Sequence, residues 1–232
     1  MTTPLSRFLA VVALTAIGLL PNTACTGGAT RTDQSSYRID QPVTALVVDA
    51  RAASVTIVAG DGPVTVTEKY HYSSGRPTTT HRVEGRALQL TESGCGDDDA
   101  RCDVSYRIQM PGATSAEITA RAGAVRLDGL AGDVHITTEA GAVEAHALSS
   151  DVVTIKTDAG AASLEFVEAP TLVRTTSSIG AVELRVPGST AYAVEVHTEV
   201  GAVSVDVDKD PRSAHRIEVS TEVGGVKIDR LP

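Results

Sequence analysis

The chain of 232 residues has no tryptophan, two phenylalanines and two methionines, and aromatic residues make up only 3% of it. A thick core of large aromatic side chains is therefore excluded, because such side chains supply most of the buried area in cores of that kind. Small and β-branched apolar residues are abundant instead, and they suit a thin core between strands. Since no helical period of apolar residues follows residue 24, we predict an all-β protein.

Basic residues are also scarce, because 20 Lys and Arg stand against 29 Asp and Glu, for a formal net charge of −9. Nucleic acids and anionic lipid headgroups both select basic surfaces, so neither is expected as a partner. The sequence also lacks a nucleophile elbow, a zincin helix, a phosphate-binding loop and a dinucleotide fingerprint. These absences predict a protein that is not an enzyme and needs no cofactor.

One glycine recurs six times with the same small or apolar neighbours, at intervals of 18, 19, 20, 21 and 23 residues. A period near twenty is typical of stacked repeats. The six glycines are Gly123, Gly141, Gly160, Gly180, Gly201 and Gly224. Small or apolar residues stand at odd distances before each glycine, including the position directly before it, and at even distances after it. This change of parity requires one inserted residue, as at a bulge or corner, and glycine tolerates the positive φ and close backbone approach found there.

The pattern predicts a β-solenoid or β-roll-like stack of about six two-strand repeats over residues 113–232, with an irregular N-terminal β cap over 37–112. Strands are expected in the cap at 45–49, 54–58, 64–71, 86–91 and 104–110. The Ser and Thr residues three positions before the glycines are expected to bond to the backbone near the corner. The last strand carries Lys227, Asp229 and Arg230 and is expected to be the exposed edge. The alternative is an antiparallel sandwich whose hairpins share a turn sequence.

The first 24 residues are typical of a secretory signal, with Arg7 before an apolar run over residues 8–20. Cys25 follows a small residue and resembles a bacterial lipoprotein processing site, although Asn22 stands where that pattern has an aliphatic residue. The resemblance implies a lipid on Cys25, followed by a flexible tether over 25–36 and an extracytoplasmic domain held at the membrane. The alternative is an unanchored secreted protein.

The other two cysteines, Cys95 and Cys102, lie between two predicted strands. In an oxidising compartment such a pair is expected to form a disulfide across a hairpin tip. Two free thiols are the alternative. A zinc site is disfavoured because no second Cys or His pair has the spacing of zinc ligands.

An acidic residue stands two positions before four of the recurring glycines, at Glu139, Asp158, Glu199 and Glu222. Carboxylates on adjacent strands about 4.8 Å apart repel by only about 1 kcal/mol in water, so a solvated edge tolerates them. A cation-binding ladder is the alternative, and no other metal site is expected. The tyrosines are too scattered along the chain to predict an aromatic platform for a sugar.

The Gly-Ala-Val repeats, the Thr-rich strands before them and the less regular segment in front resemble the bacterial "putative adhesin" domain family over residues 37–231. The resemblance implies an extracytoplasmic, repeat-built domain without catalytic residues. The function expected is a cell-envelope lipoprotein that acts as a binding, adhesin-like or spacer module for an envelope protein or polysaccharide. Two alternatives stay open: an accessory or sensor lipoprotein of an envelope-stress system, and a carbohydrate-active β-helix enzyme.

Overall fold

The computed structural model describes residues 30–95 and 102–231, which contain eighteen strands and no helix. The strands before the repeats are β1 (Arg31–Ile39), β2 (Ala45–Ala59), β3 (Val64–Tyr72), β4 (Thr79–Glu84), β5 (Ala87–Glu92) and β6 (Cys102–Met110). The repeat strands are β7 (Ser115–Ala122), β8 (Val125–Asp128), β9 (Val134–Ala140), β10 (Val143–Leu148), β11 (Val152–Ala159), β12 (Ala162–Phe166), β13 (Leu172–Ile179), β14 (Val182–Pro187), β15 (Ala193–Val200), β16 (Val203–Asp206), β17 (Arg216–Val223) and β18 (Val226–Leu231). The part of the chain described holds no helix long and apolar enough to cross a membrane.

The repeats stack in parallel, and each contributes one strand to each of two sheets, which confirms the solenoid-like all-β prediction. The first sheet runs β4-β5-β2-β7-β9-β11-β13-β17-β15, and all its pairs are parallel except β4 with β5. The second runs β1-β3-β6-β2-β8-β10-β12-β14-β18-β16, with β3 antiparallel to both its neighbours. Their inward Val, Ile, Leu and Ala side chains form one continuous core.

The last two repeats stand in the stack in the reverse of their chain order. The pair β17 and β18 lies directly against β13 and β14, and the earlier pair β15 and β16 lies outside it. The prediction that the last strand is the exposed edge is therefore wrong, because β18 has a neighbour on both sides. Charged residues such as Lys227 and Asp229 point outward from an interior strand and pair with each other.

Each recurring glycine lies between the two strands of its repeat, where two backbones come into contact. A Cβ on Gly141 would overlap the carbonyl oxygen of Gly123, and a Cβ on Gly160 would overlap that of Gly141. The same contact runs onward through the repeats in stack order, from Gly180 to Gly224 and Gly201. Only three of the six have positive φ. Close backbone approach, rather than φ, is thus what all six corners share.

The corner begins one residue earlier than the parity of the sequence indicates. The residues directly before the glycines were predicted to face inward, but they are exposed, and Ile179, Val200 and Val223 are 59%, 62% and 46% exposed. The side chains two positions further back are buried as predicted, except that of Thr198 in the outer coil, which is half-buried. The residues directly before and directly after each glycine therefore both lie outside the core. Side chains point inward again from the second residue after the glycine.

The hydroxyls three positions before the glycines bond to the backbone in only part of the stack. Thr198 donates to the carbonyl of Gly224 at 3.1 Å, and Thr221 donates to that of Gly180 at 3.4 Å. In the middle repeats, the buried hydroxyls of Thr138, Thr157 and Ser177 have no hydrogen-bond partner. The predicted role of this column therefore holds only near the outer end of the stack.

The cap is more extensive and more ordered than predicted. The tether was expected to reach residue 36, but Arg31–Ile39 forms β1, and β4 is a further strand that the sequence did not indicate. The two strands expected at 45–49 and 54–58 are one continuous strand, β2, which bends from one sheet into the other and so forms a coil without the glycine. The disulfide prediction is confirmed, since Cys95 bonds to Cys102 with 5.9 Å between their Cα atoms.

Candidate functional site

A cluster of tyrosines surrounds a buried carboxylate where β1, β3 and β6 lie side by side in the cap. The antiparallel registers place Glu68 of β3 opposite Ser35 of β1 on one side and opposite Tyr106 of β6 on the other. Alternate residues of β3 face the core, so Glu68 and Tyr70 lie on its buried face. The fold thus brings polar groups from three strands to the inner side of the cap.

Glu68 is 3% exposed, and three hydroxyl groups bond to its carboxylate. Tyr37 donates to Oε1 at 2.7 Å, Thr79 donates to Oε2 at 2.9 Å, and the Tyr70 hydroxyl also donates to Oε2. A buried carboxylate is stable only when its oxygens are hydrogen-bonded, and here both of them are. The carboxylate therefore acts as the anchor that orients these three side chains.

The cluster holds its tyrosines in the protonated form. Burial, together with the hydrogen bond to Glu68, raises the pKa of Tyr37 and Tyr70. Burial and the nearby charges of Glu68 and Glu92 raise the pKa of Tyr106, whose buried hydroxyl has no hydrogen-bond partner. These phenols are hydrogen-bond donors and are poorly suited to act as nucleophiles or bases.

A cation and two aromatic faces form the rim of a concavity of about 480 Å³ above this cluster. The ring of His81 stacks on Tyr37 with 4.0 Å between the centroids and an interplanar angle of 16°. The guanidinium of Arg76 lies 3.9 Å from the centroid of the Tyr70 ring. The exposed groups of the rim, which are the His81 ring and the Arg76 guanidinium, suit a ligand that combines a flat face with acidic groups.

A second buried carboxylate, Glu92, is engaged by the backbone. Its Oε2 accepts the N–H groups of Arg51 and Ala52 at 2.9 and 2.8 Å, at the bend of β2. Its other oxygen accepts the N–H of Gly94. Glu92 therefore closes the corner of the one coil that has no glycine, and it is not available for chemistry.

None of the predicted site residues that the structure describes lines this concavity. Cys25 lies outside the described residues. The four acidic residues form one exposed column in the order Glu139, Asp158, Glu222 and Glu199, with Ser178 in the middle. Arg121 lies 3.9 Å from Glu139 at one end of it. Within the described residues, no group of three or more His, Cys, Asp or Glu could hold a metal. The cation ladder stays a prediction.

The tyrosines of the cap lie close together in the fold, although they are scattered along the chain. Tyr70 and Tyr106 lie on neighbouring strands next to Tyr37, and the hydroxyl of Tyr72 bonds to Asp33 of β1 at 2.7 Å. Only Tyr192 is remote, near the other end of the stack. One signal was present in the sequence: Glu68 has the same parity as the apolar residues of β3, which is unusual for an unpaired carboxylate.

A family model for the domain called Toastrack DUF4097 matches residues 34–229, which include the cap, the concavity and all the repeats. The chain belongs to the Toastrack DUF4097 family. This family covers the same cap and repeats for which the sequence indicated a resemblance to adhesin domains. No curated protein matches the chain.

Similar solved structures include a "putative cell adhesion protein" of Clostridium sporogenes. It is 13% identical, with a TM-score of 0.51, and the match covers 87% of this chain and all of that one. A "putative adhesin" of Bacteroides fragilis is 12% identical, with a TM-score of 0.46, and the match covers 85% of this chain and 97% of that one. At 13% identity, the likeness to the Clostridium sporogenes structure extends to the fold alone.

Proposed function

We propose that this Toastrack protein is a non-enzymatic binding module of the bacterial cell envelope, and that the cap concavity is its ligand site. The observation that carries the proposal is the position of Tyr37, Tyr70, Arg76 and His81 around one opening, above a carboxylate that holds two of them in place. Function in such a fold belongs to the site rather than to the scaffold. The adhesin names of the structural relatives point in the same direction.

The chemistry of the site favours binding over catalysis. Both buried carboxylates have their oxygens bonded to protein donors, so neither offers a free acid or base. A glycoside hydrolase needs a pair of carboxyl groups that face the scissile bond. The rim offers instead aromatic faces and a guanidinium, which suit an envelope polysaccharide with acidic groups.

Binding to insoluble peptidoglycan tests this site. We expect the double variant Arg76→Ala and His81→Ala to lower the affinity of the full chain at least about tenfold, because both exposed side chains face the opening. Arg82→Ala is the matched control, since Arg82 lies next to His81 on β4 but pairs with Gln89 and Glu84. Equal binding by the double variant and the control, or no binding by the unmodified chain, would contradict the proposal.

The N-terminal segment of the chain supports a proposal about the cellular location of the module. We propose that Cys25 becomes the lipid-bearing N-terminus and that the domain is outside the cytoplasm, a compartment in which the Cys95–Cys102 disulfide persists. Mass spectrometry of the membrane fraction should show an acylated N-terminus at Cys25, and Cys25→Ser should release the protein from that fraction. An unmodified chain that is cleaved and found in the medium would favour the secreted alternative.

A further inference from the structure

The outer end of the stack is formed by β15 and β16, and residues 208–210 cover it at Tyr192, where Lys209 forms a single bridge. In the described residues, β15 forms a ladder only with β17, and β16 only with β18. The inward residues of the adjacent coil are fully buried, as at Ile217 and Ile228. The matching residues of the outer coil are only half-buried or exposed, and Val203 is 49% exposed. The core is thus open to solvent at this end.

The apolar corner residues extend this open surface. Ile179, Val223 and Val200 follow one another on neighbouring strands and are all exposed, and Val203 lies directly beyond the corner from Val200. These four are all but one of the large exposed hydrophobic residues in the described chain. A contiguous exposed apolar patch of this kind marks an interaction surface.

The backbone of β15 also offers unpaired groups at this end. The N–H of Ala193 donates to His215 on the side of β17, whereas the N–H of Tyr192 donates to Asp208 on the opposite side. Backbone groups alternate in direction along a strand, so Val194, Val196 and Thr198 direct their N–H and C=O groups to the open edge. Such an edge pairs readily with another strand.

We propose that a second copy of this chain pairs with β15 in antiparallel orientation, about a two-fold axis at Val196. In this register Val196 lies opposite the partner's Val196, and Val194 lies opposite the partner's Thr198. Each of these residues has its N–H and C=O directed to the partner strand, so the pairing forms a continuous ladder between the two copies. The inward faces of the two outer coils meet, and each covers the open core of the other.

Charge favours this register over the one with the two-fold axis at His197, which also keeps the inward side chains of both copies on the same face. With the axis at Val196, Glu195 lies opposite the partner's His197, and the pair occurs twice. With the axis at His197, Glu195 would lie opposite the partner's Glu199, and like charges directly opposite each other destabilise a sheet. A shift of one residue would instead turn the inward side chains outward. The outer strand is thus complementary to itself in one register.

Sedimentation of the full chain over a concentration series tests the proposal. A short edge with an apolar end is a small interface, so we expect a dimer with a Kd on the order of 10 µM. His197→Glu should weaken the dimer about tenfold, because it places two carboxylates opposite each other twice. The double variant Glu195→Lys and His197→Glu should restore the dimer, because each lysine then lies opposite the partner's new glutamate.

Lys156→Glu is the matched control, because Lys156 lies on the same exposed row of the first sheet but on the interior strand β11. This variant should leave the dimer unchanged. A monomer at every concentration would overturn the proposal and show that the end accepts a different chain or none. A dimer that His197→Glu does not weaken, or that the double variant does not restore, would overturn it equally, since pairing through β15 in this register requires both effects.

Discussion

Replacing Gly224 by alanine is expected to lower the free energy of unfolding by about 3–4 kcal/mol. The new Cβ would overlap the carbonyl oxygen of Gly180 in the neighbouring coil. Both groups belong to backbones held in two ladders, so no change of rotamer can relieve the overlap, and the coils must move apart. In a domain of about 200 residues this loss corresponds to a decrease in Tm of roughly 10 °C, which calorimetry measures directly.

The next residue supplies the control for this substitution. A Cβ on Gly225 would lie 3.5 Å from the carbonyl oxygen of Ala202, an ordinary contact, and Gly225 does not have a positive φ. Gly225→Ala should therefore change the stability by less than about 0.5 kcal/mol. Two neighbouring glycines that lost equal stability would show that the corner is flexible and that close packing of the coils is not why glycine stands there.

Removing the carboxylate of Glu68 is expected to have the second large effect, a loss of about 2–4 kcal/mol for Glu68→Leu. The hydroxyls of Tyr37, Tyr70 and Thr79 would lose their common acceptor. A buried polar group without a partner costs about 1–3 kcal/mol. The hydroxyls of Tyr70 and Thr79 lie 3.0 Å apart and can still bond to each other, so the three hydroxyls keep one hydrogen bond among them. Equilibrium unfolding in urea, monitored by circular dichroism, gives the difference from the unmodified chain.

Removing the donors together with the acceptor separates this account from simple loss of packing. Adding Tyr37→Phe, Tyr70→Phe and Thr79→Val to Glu68→Leu removes every hydroxyl that bonds to the Glu68 carboxylate, and replacing all partners by apolar groups is nearly neutral. We expect the combined variant to recover most of the lost stability. A combined variant less stable than Glu68→Leu alone would mean that the hydroxyls contribute independently of the carboxylate.

The coil and its corner could be predicted from the sequence because every repeat needs inward apolar side chains at the same positions and a glycine at the same corner. Alternation places Val153, Ile155 and Val182 inward, and the glycine marks where the backbones touch. The order of the coils could not be predicted in the same way. The strands β15 and β17 carry the same inward pattern, so either could lie against β13. The local periodicity of the sequence predicts the structure of each coil, but it does not predict which coil packs against which.

The candidate site was beyond the reach of the repeat pattern for a different reason. Tyr37 and Tyr106 are 69 residues apart and meet only because β1, β3 and β6 pair in antiparallel fashion. Nothing in the spacing of Tyr37, Arg76 and His81 indicates a common opening, since they come from a strand, a loop and another strand. The parity of Glu68 was the one local sign that a polar group lies within the core.

The reversed position of the last two repeats constrains how the chain can reach its fold. The pair β15 and β16 is synthesised before β17 and β18, yet it packs only against them. Growth of the stack from the cap therefore cannot follow the order of the chain, because β15 and β16 have no partner among the described strands until residues 216–231 have emerged. In that interval the edges of β13 and β14 are open to a pair with a matching inward pattern. The coil of β17 and β18 must therefore join the stack before, or together with, the coil of β15 and β16, so the coils close in an order that differs from their order of synthesis.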